Sequence, residues 1–142
     1  MHVVCNNAGP GCGGLLELTT PGDCDWIIGV DLMGMIYGCQ TFLPHIKAHG
    51  EGGHIVSTAS VSGMIPVPGW AIHNAAKAGI IALSQTLAAE LEGTSIGVSV
   101  LGVAEKVMHG IKENQLTIFS HPEWRSAFEE HYQRMLAAYP KA

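Results

Sequence analysis

Residues 57–79 read STASVSGMIPVPGWAIHNAAKAG, and the order of residue types in this stretch decides the fold. The β-branched run HIVSTAS (54–60) reads as a buried strand that stops at Ser60. The Pro/Gly-rich segment after it breaks the strand. From Trp70 to Leu91 the chain is rich in Ala, Leu and Ile, the composition of a long helix. His73 and Lys77 stand at i and i+4 on that helix, so their side chains share one face. A strand, a loop and a helix that runs back over the sheet form a crossover unit, and such units build parallel sheets.

Working outward, the same alternation recurs. HVVC (2–5) reads as a short strand closed by the turn cluster NNAGP, and residues 15–25 read as a polar, Gly/Pro-broken connection. From Asp25 to His49, Trp26, Ile27, Val30, Met33, Tyr37 and Phe42 recur at threes and fours, the spacing of a helix, with Pro44 near its end. SIGVSVL (95–101) is a further strand, 104–112 a helix, LTIF (116–119) a short strand and 122–139 a last helix with Pro122 in its first turn. The expected fold is α/β: a parallel, doubly wound Rossmann-like sheet of about four strands with flanking helices, one partial domain over residues 1–142.

Composition narrows the function. The chain is 47% apolar and 13% charged, with mean hydropathy +0.24, as expected of a chain with a packed core. Seven basic against twelve acidic residues, net −5 and no basic run, argue against a nucleic-acid partner. No uninterrupted apolar run approaches the roughly 18 residues of a membrane span, so no membrane partner is expected. Cys5, Cys12, Cys24 and Cys39 form no C-x-x-C pair and read as reduced, mostly buried thiols; with no basic segment at the start, a cytoplasmic location is expected. His45 and His49, at i and i+4, with His54 nearby, are a possible ligand pair, but no Cys or acidic partner falls at a ligand spacing, and no metal is expected.

Ligands of open parallel sheets bind beyond the carboxyl ends of the strands, where both NNAG (6–9) and Ser60 fall. From Val3 to Leu101 the chain resembles the catalytic half of the short-chain dehydrogenase/reductase family. The marks are NNAG after a strand, VDLMG (30–34) in a helix, STASVSG (57–63) and HNAAKAG (73–79), with His73 thirteen positions after Ser60. The resemblance implies hydride transfer between NAD or NADP and a small carbonyl or alcohol substrate. It further implies a tyrosine that gives its proton to the oxygen, a lysine that lowers that tyrosine's pKa and holds the nicotinamide ribose, a serine that positions the oxygen, and a helix asparagine that completes a water relay. Carried over, the catalytic positions are Ser60, His73, Lys77 and Asp31, and the cofactor-binding positions are Asn6, Asn7, Ala8, Gly9 and Lys77.

Two of these positions depart from the pattern: His73 stands in the tyrosine's slot and Asp31 in the asparagine's. An imidazole both donates and accepts a proton near neutrality, while an ionised carboxylate only accepts hydrogen bonds. Tyr37 is no substitute, because six residues past Asp31 is about 240° around a helix, and it is expected in the core. The family's glycine-rich turn after its first strand has no counterpart, since GPGCGG (9–14) opens no helix, and the Pro-Gly and lid expected after SVL are also missing. Impaired activity is therefore expected. The alternatives are a non-catalytic module that oligomerises through its two long helices, as family members pair, and a truncated gene product.

Overall fold

The computed structural model describes residues 1–101, 111–118 and 122–138. Four parallel strands lie side by side in chain order: β1 (Val3–Asn6), β2 (Gly53–Thr58), β3 (Ile96–Leu101) and β4 (Thr117–Ile118). Between β1 and β2 runs a continuous helical stretch of three parts. These are α1 (Pro21–Ile27), a π-helical turn (Ile28–Met33) and α2 (Gly34–His49). Helix α3 (Ala71–Glu90) joins β2 to β3, and α4 (Arg125–Ala137) follows β4. The four parallel strands and flanking helices match the expected α/β class.

Register explains which residues make the core. Val4, Ile55 and Val98 are aligned across three strands and face α2 and α3, where Met35, Cys39, Ile46, Ile80 and Leu87 meet them. On the opposite face Val56 and Leu101 pack with Ile111. Val3 and Cys5, on that second face of the edge strand, stay exposed. Successive side chains alternate between faces, so a strand covered on one side only must show this pattern.

The helical stretch begins earlier than its periodicity indicates, at Pro21, because Thr20 caps it. The Thr20 hydroxyl accepts from the Asp23 amide and the Asp23 carboxylate accepts from the Thr20 amide, a reciprocal capping box ahead of a proline at the first helical position. Pro21–His49 is long and apolar enough, by length and composition, to cross a membrane. It nevertheless carries the buried carboxylate of Asp31 and lays Ile27, Met35, Cys39 and Ile46 into the core.

Two expectations need correction, and the histidines part company. Tyr37 is exposed, since the helix turns it away from both the sheet and Asp31. Of the four cysteines only Cys39 is buried; Cys5 lies on the uncovered face of β1, Cys12 is half-buried in the loop after β1 and Cys24 is half-buried on α1. His54 is separated from His45 and His49: it is a buried strand residue whose Nε2 lies 2.8 Å from Ser99 Oγ, and Ser99 in turn donates to the Gln115 carbonyl. Burial pushes the His54 imidazole below its ordinary pKa. The helix expected over 104–112 and the strand over 116–119 lie partly outside the described residues; within them, Thr117–Ile118 is a strand paired with β3.

Candidate active site

Three charged or ionisable side chains converge at the carboxyl ends of β1 and β2. Asp31 sits in the π-helical turn, 1% exposed. Such turns insert one residue into the helical repeat and shift the facing of the side chains around it. Lys77 is buried on α3, its Nζ 3.3 Å from Asp31 Oδ2 and donating to the Thr58 carbonyl at 3.2 Å. His73, one turn earlier, places Nδ1 3.5 Å from the same Oδ2. The Asp31–His73 approach is an electrostatic contact and not a formed hydrogen bond, and both Asp31 oxygens lack a hydrogen-bond partner among the described residues. One carboxylate thus serves an ammonium and an imidazole together, the arrangement a buried charge requires.

Gly9 closes this cluster from above. A Cβ there would stand 2.7 Å from Lys77 Nζ and 3.2 Å from Asp31 Oδ1, so a side chain here would push the lysine tip off its present contacts. Asn7 Oδ1 accepts from the Thr58 hydroxyl at 2.8 Å, tying the ends of β1 and β2 together. Asn6 turns the other way: its amide donates to Cys39 Sγ at 3.6 Å and packs against Gly38. Its side chain braces α2, and Ala8 is exposed.

Ser60 lies two residues past Thr58 and caps a short 3₁₀ turn, Val61–Gly63; its Oγ accepts from the Ser62 amide at 3.2 Å and lies 3.0 Å from the Ser62 hydroxyl. Gly63 holds this turn on α3, since a Cβ there would stand 2.7 Å from the Lys77 carbonyl carbon. The turn that carries Ser60 and the helix segment that carries Lys77 are thereby fixed against each other.

Two contributors escape motif reading. Thr58 acts through its carbonyl, which any residue supplies, so only the register reveals it. Trp70 stands edge-on to His73, ring centroids 5.5 Å apart, and its indole lies over Gly11 and Gly13. The glycine-rich segment is thus a surface for an indole, and it opens no helix. The signal in the sequence was the pairing of bare glycines with an aromatic just before the helix. Beside them, a cavity of about 220 Å³ opens, lined by Cys12, Leu18, Ile27, Gly69 and Ile72 among others.

This geometry meets its counterpart among known proteins. A family model for short chain dehydrogenase matches residues 1–108, and the chain belongs to that family. C alpha-dehydrogenase of Sphingobium sp. (strain NBRC 103272 / SYK-6) is 30% identical over 180 aligned residues, covering 94% of this chain and 59% of that protein. Since 180 exceeds the 142 residues of this chain, the alignment includes positions that have no counterpart here. The crystal structure of LigD, apo form, from Sphingobium sp. strain SYK-6 superposes with a TM-score of 0.95 at 36% identity, covering 99% of this chain and 64% of that one. A short chain dehydrogenase/reductase from Burkholderia phymatum, in complex with NAD, gives a TM-score of 0.89 at 25% identity over 99% of this chain and 69% of that one. The chain therefore spans about three-fifths of the length of these first relatives.

Proposed function

We propose that this chain carries the proton-handling part of an NAD- or NADP-dependent oxidoreductase that interconverts a small alcohol and its carbonyl. The convergence of Asp31, His73 and Lys77 beneath Gly9 carries the reading. Bound nicotinamide would supply or accept the hydride. The residues present fit one end of such a cofactor: Lys77 has three N–H donors and two face Asp31 and Thr58, which leaves one for a ribose hydroxyl. Gly9, Asn7 and the exposed Ala8 line the approach to it, whereas Asn6 serves the fold. Among the described residues no glycine-rich turn leads from a strand into a helix, so nothing here is assigned to the pyrophosphate.

His73 takes the acid/base role. Nδ1 faces Asp31 at 3.5 Å, which leaves Nε2 as the nitrogen for the substrate oxygen, and an imidazole there can accept an alcohol proton. The Asp31 carboxylate and the Lys77 ammonium flank this imidazole, one charge of each sign. Ser60 orients the oxygen, and the cavity beside Trp70 takes the body of a small substrate.

A homo-oligomer, in the cytoplasm, goes with this reading: Trp26 and Tyr37 on the long helical stretch are exposed apolar surface that a second copy would cover. A second reading, a pairing module without turnover, rests on the same two residues and on the uncovered face of β1. Titration of NADH and NADPH against the fluorescence of Trp26, Trp70 and Trp124 separates the two. Saturable quenching that is lost in Lys77→Met supports the enzyme. No saturation by about millimolar cofactor, the top of the usual KM range, overturns the enzyme reading of this chain.

A further inference from the structure

A second cluster of ligating side chains lies at the opposite ends of the strands from the acid/base site. His2 precedes β1, while His49 ends α2 and Glu51 lies in the turn into β2. One ligand atom from each of the three side chains falls within 4.8 Å of the others. His2 Nε2 is 2.7 Å from Glu51 Oε2, and the His2 and His49 rings lie 4.7 Å apart. We propose that His2, His49 and Glu51 form a binding site for a divalent transition-metal ion of the Zn(II) class.

The backbone already holds the three residues in place. The His2 carbonyl accepts from the His54 amide at 2.7 Å, which fixes His2 in the sheet register. Gly50, at φ 70°, ends α2 in the left-handed conformation that turns the chain back and brings Glu51 within two residues of His49. The last carbonyls of a helix carry partial negative charge, which favours a cation at this end.

Hydrogen bonding selects the ligating atoms. His49 Nε2 lies 2.8 Å from the Met1 carbonyl, which can only accept, so Nε2 carries the proton. Nδ1 therefore carries the lone pair, which accepts from the Glu51 amide at 3.2 Å, and an ion would take the place of that bond. A ligating imidazole whose other N–H is fixed by a backbone carbonyl is the usual outer arrangement of zinc sites. At His2 the ion replaces the proton shared with Glu51. Two imidazoles and one carboxylate, with a fourth position for water, form a donor set that suits Zn(II). His45, one turn earlier on α2, is exposed and outside the cluster, and His54 faces Ser99. Bridging the start of β1 to the α2–β2 turn, the ion would clamp the edge strand.

Calorimetric titration of the metal-free full chain with ZnCl2 tests this, alongside the visible spectrum with Co(II). One equivalent is expected to bind, to raise the melting temperature, and to give the intense absorption of four-coordinate cobalt. His49→Ala and Glu51→Gln should each weaken binding by about tenfold or more, while His45→Ala and Cys5→Ser leave it unchanged. Glu51→Gln alters an exposed side chain, so it reports even where His49→Ala folds poorly. No binding by about millimolar Zn(II), equal affinity in the wild type and Glu51→Gln, or binding lost only with Cys5→Ser would overturn the site.

Discussion

Replacing Asp31 by Asn strikes the acid/base cluster and the fold at the same point. The carboxylate is 1% exposed and stands 3.3 Å from a lysine ammonium that is 4% exposed. At that distance, with an effective dielectric constant of about 20, the attraction is about 5 kcal/mol. Removing one partner of a buried pair costs about 3–5 kcal/mol, because the other charge remains buried, and the amide oxygen of Asn recovers part of this. The expected loss for Asp31→Asn is therefore about 3 kcal/mol. Urea unfolding followed by tryptophan fluorescence reads it as a lower midpoint at unchanged slope. In the double variant Asp31→Asn/Lys77→Met the loss should fall well short of the sum of the two single losses, because the stranded ammonium is gone. A loss below about 1 kcal/mol for Asp31→Asn, or strict additivity, would refute the claim that this pair is coupled.

Gly9→Ala, which brings a methyl group within 2.7 Å of Lys77 Nζ, should destabilise the chain by about 1–3 kcal/mol and abolish quenching by NADH; urea midpoints and the same titration check it. His54 links stability to pH: its folded pKa is depressed by burial, so the unfolded chain binds the proton more readily. Its contribution is full above the unfolded value of about 6.5 and is lost as pH falls through the lower folded value. Urea midpoints measured from neutral pH downward should show that slope, and His54→Gln should flatten it. Replacing His73 by Tyr together with Asp31 by Asn should raise turnover of NADH or NADPH with a panel of small ketones. Unchanged turnover with cofactor quenching intact would show that these two positions are not what limits the rate.

The crossover around residues 57–79 was legible because two periodicities, of strand and helix, meet there with a Pro/Gly break between them. Ser60, His73 and Lys77 followed from their spacing and from the resemblance. Asp31 could be named from its slot as a carboxylate facing Lys77, but the direct 3.3 Å approach depends on a π-helical turn that no residue pattern marks. The helix start at Pro21 was missed because the Thr20–Asp23 box lies in a stretch that reads as a polar connection. Asn6 stands in the NNAG signature, and that its side chain braces Gly38 and Cys39 is a contact no motif spells out. Tyr37 and three of the four cysteines proved accessible because apolar character alone does not say which face a neighbouring element covers.

The central question is whether His73 handles the substrate proton. The measurement is cofactor-dependent turnover as a function of pH for the wild type, His73→Phe and His73→Tyr. It should vanish in His73→Phe while nicotinamide binding persists. In His73→Tyr the profile should move to higher pH, because a phenol ordinarily titrates about three units above an imidazole. Turnover in His73→Phe at the wild-type rate, with the wild-type pH profile, would contradict it.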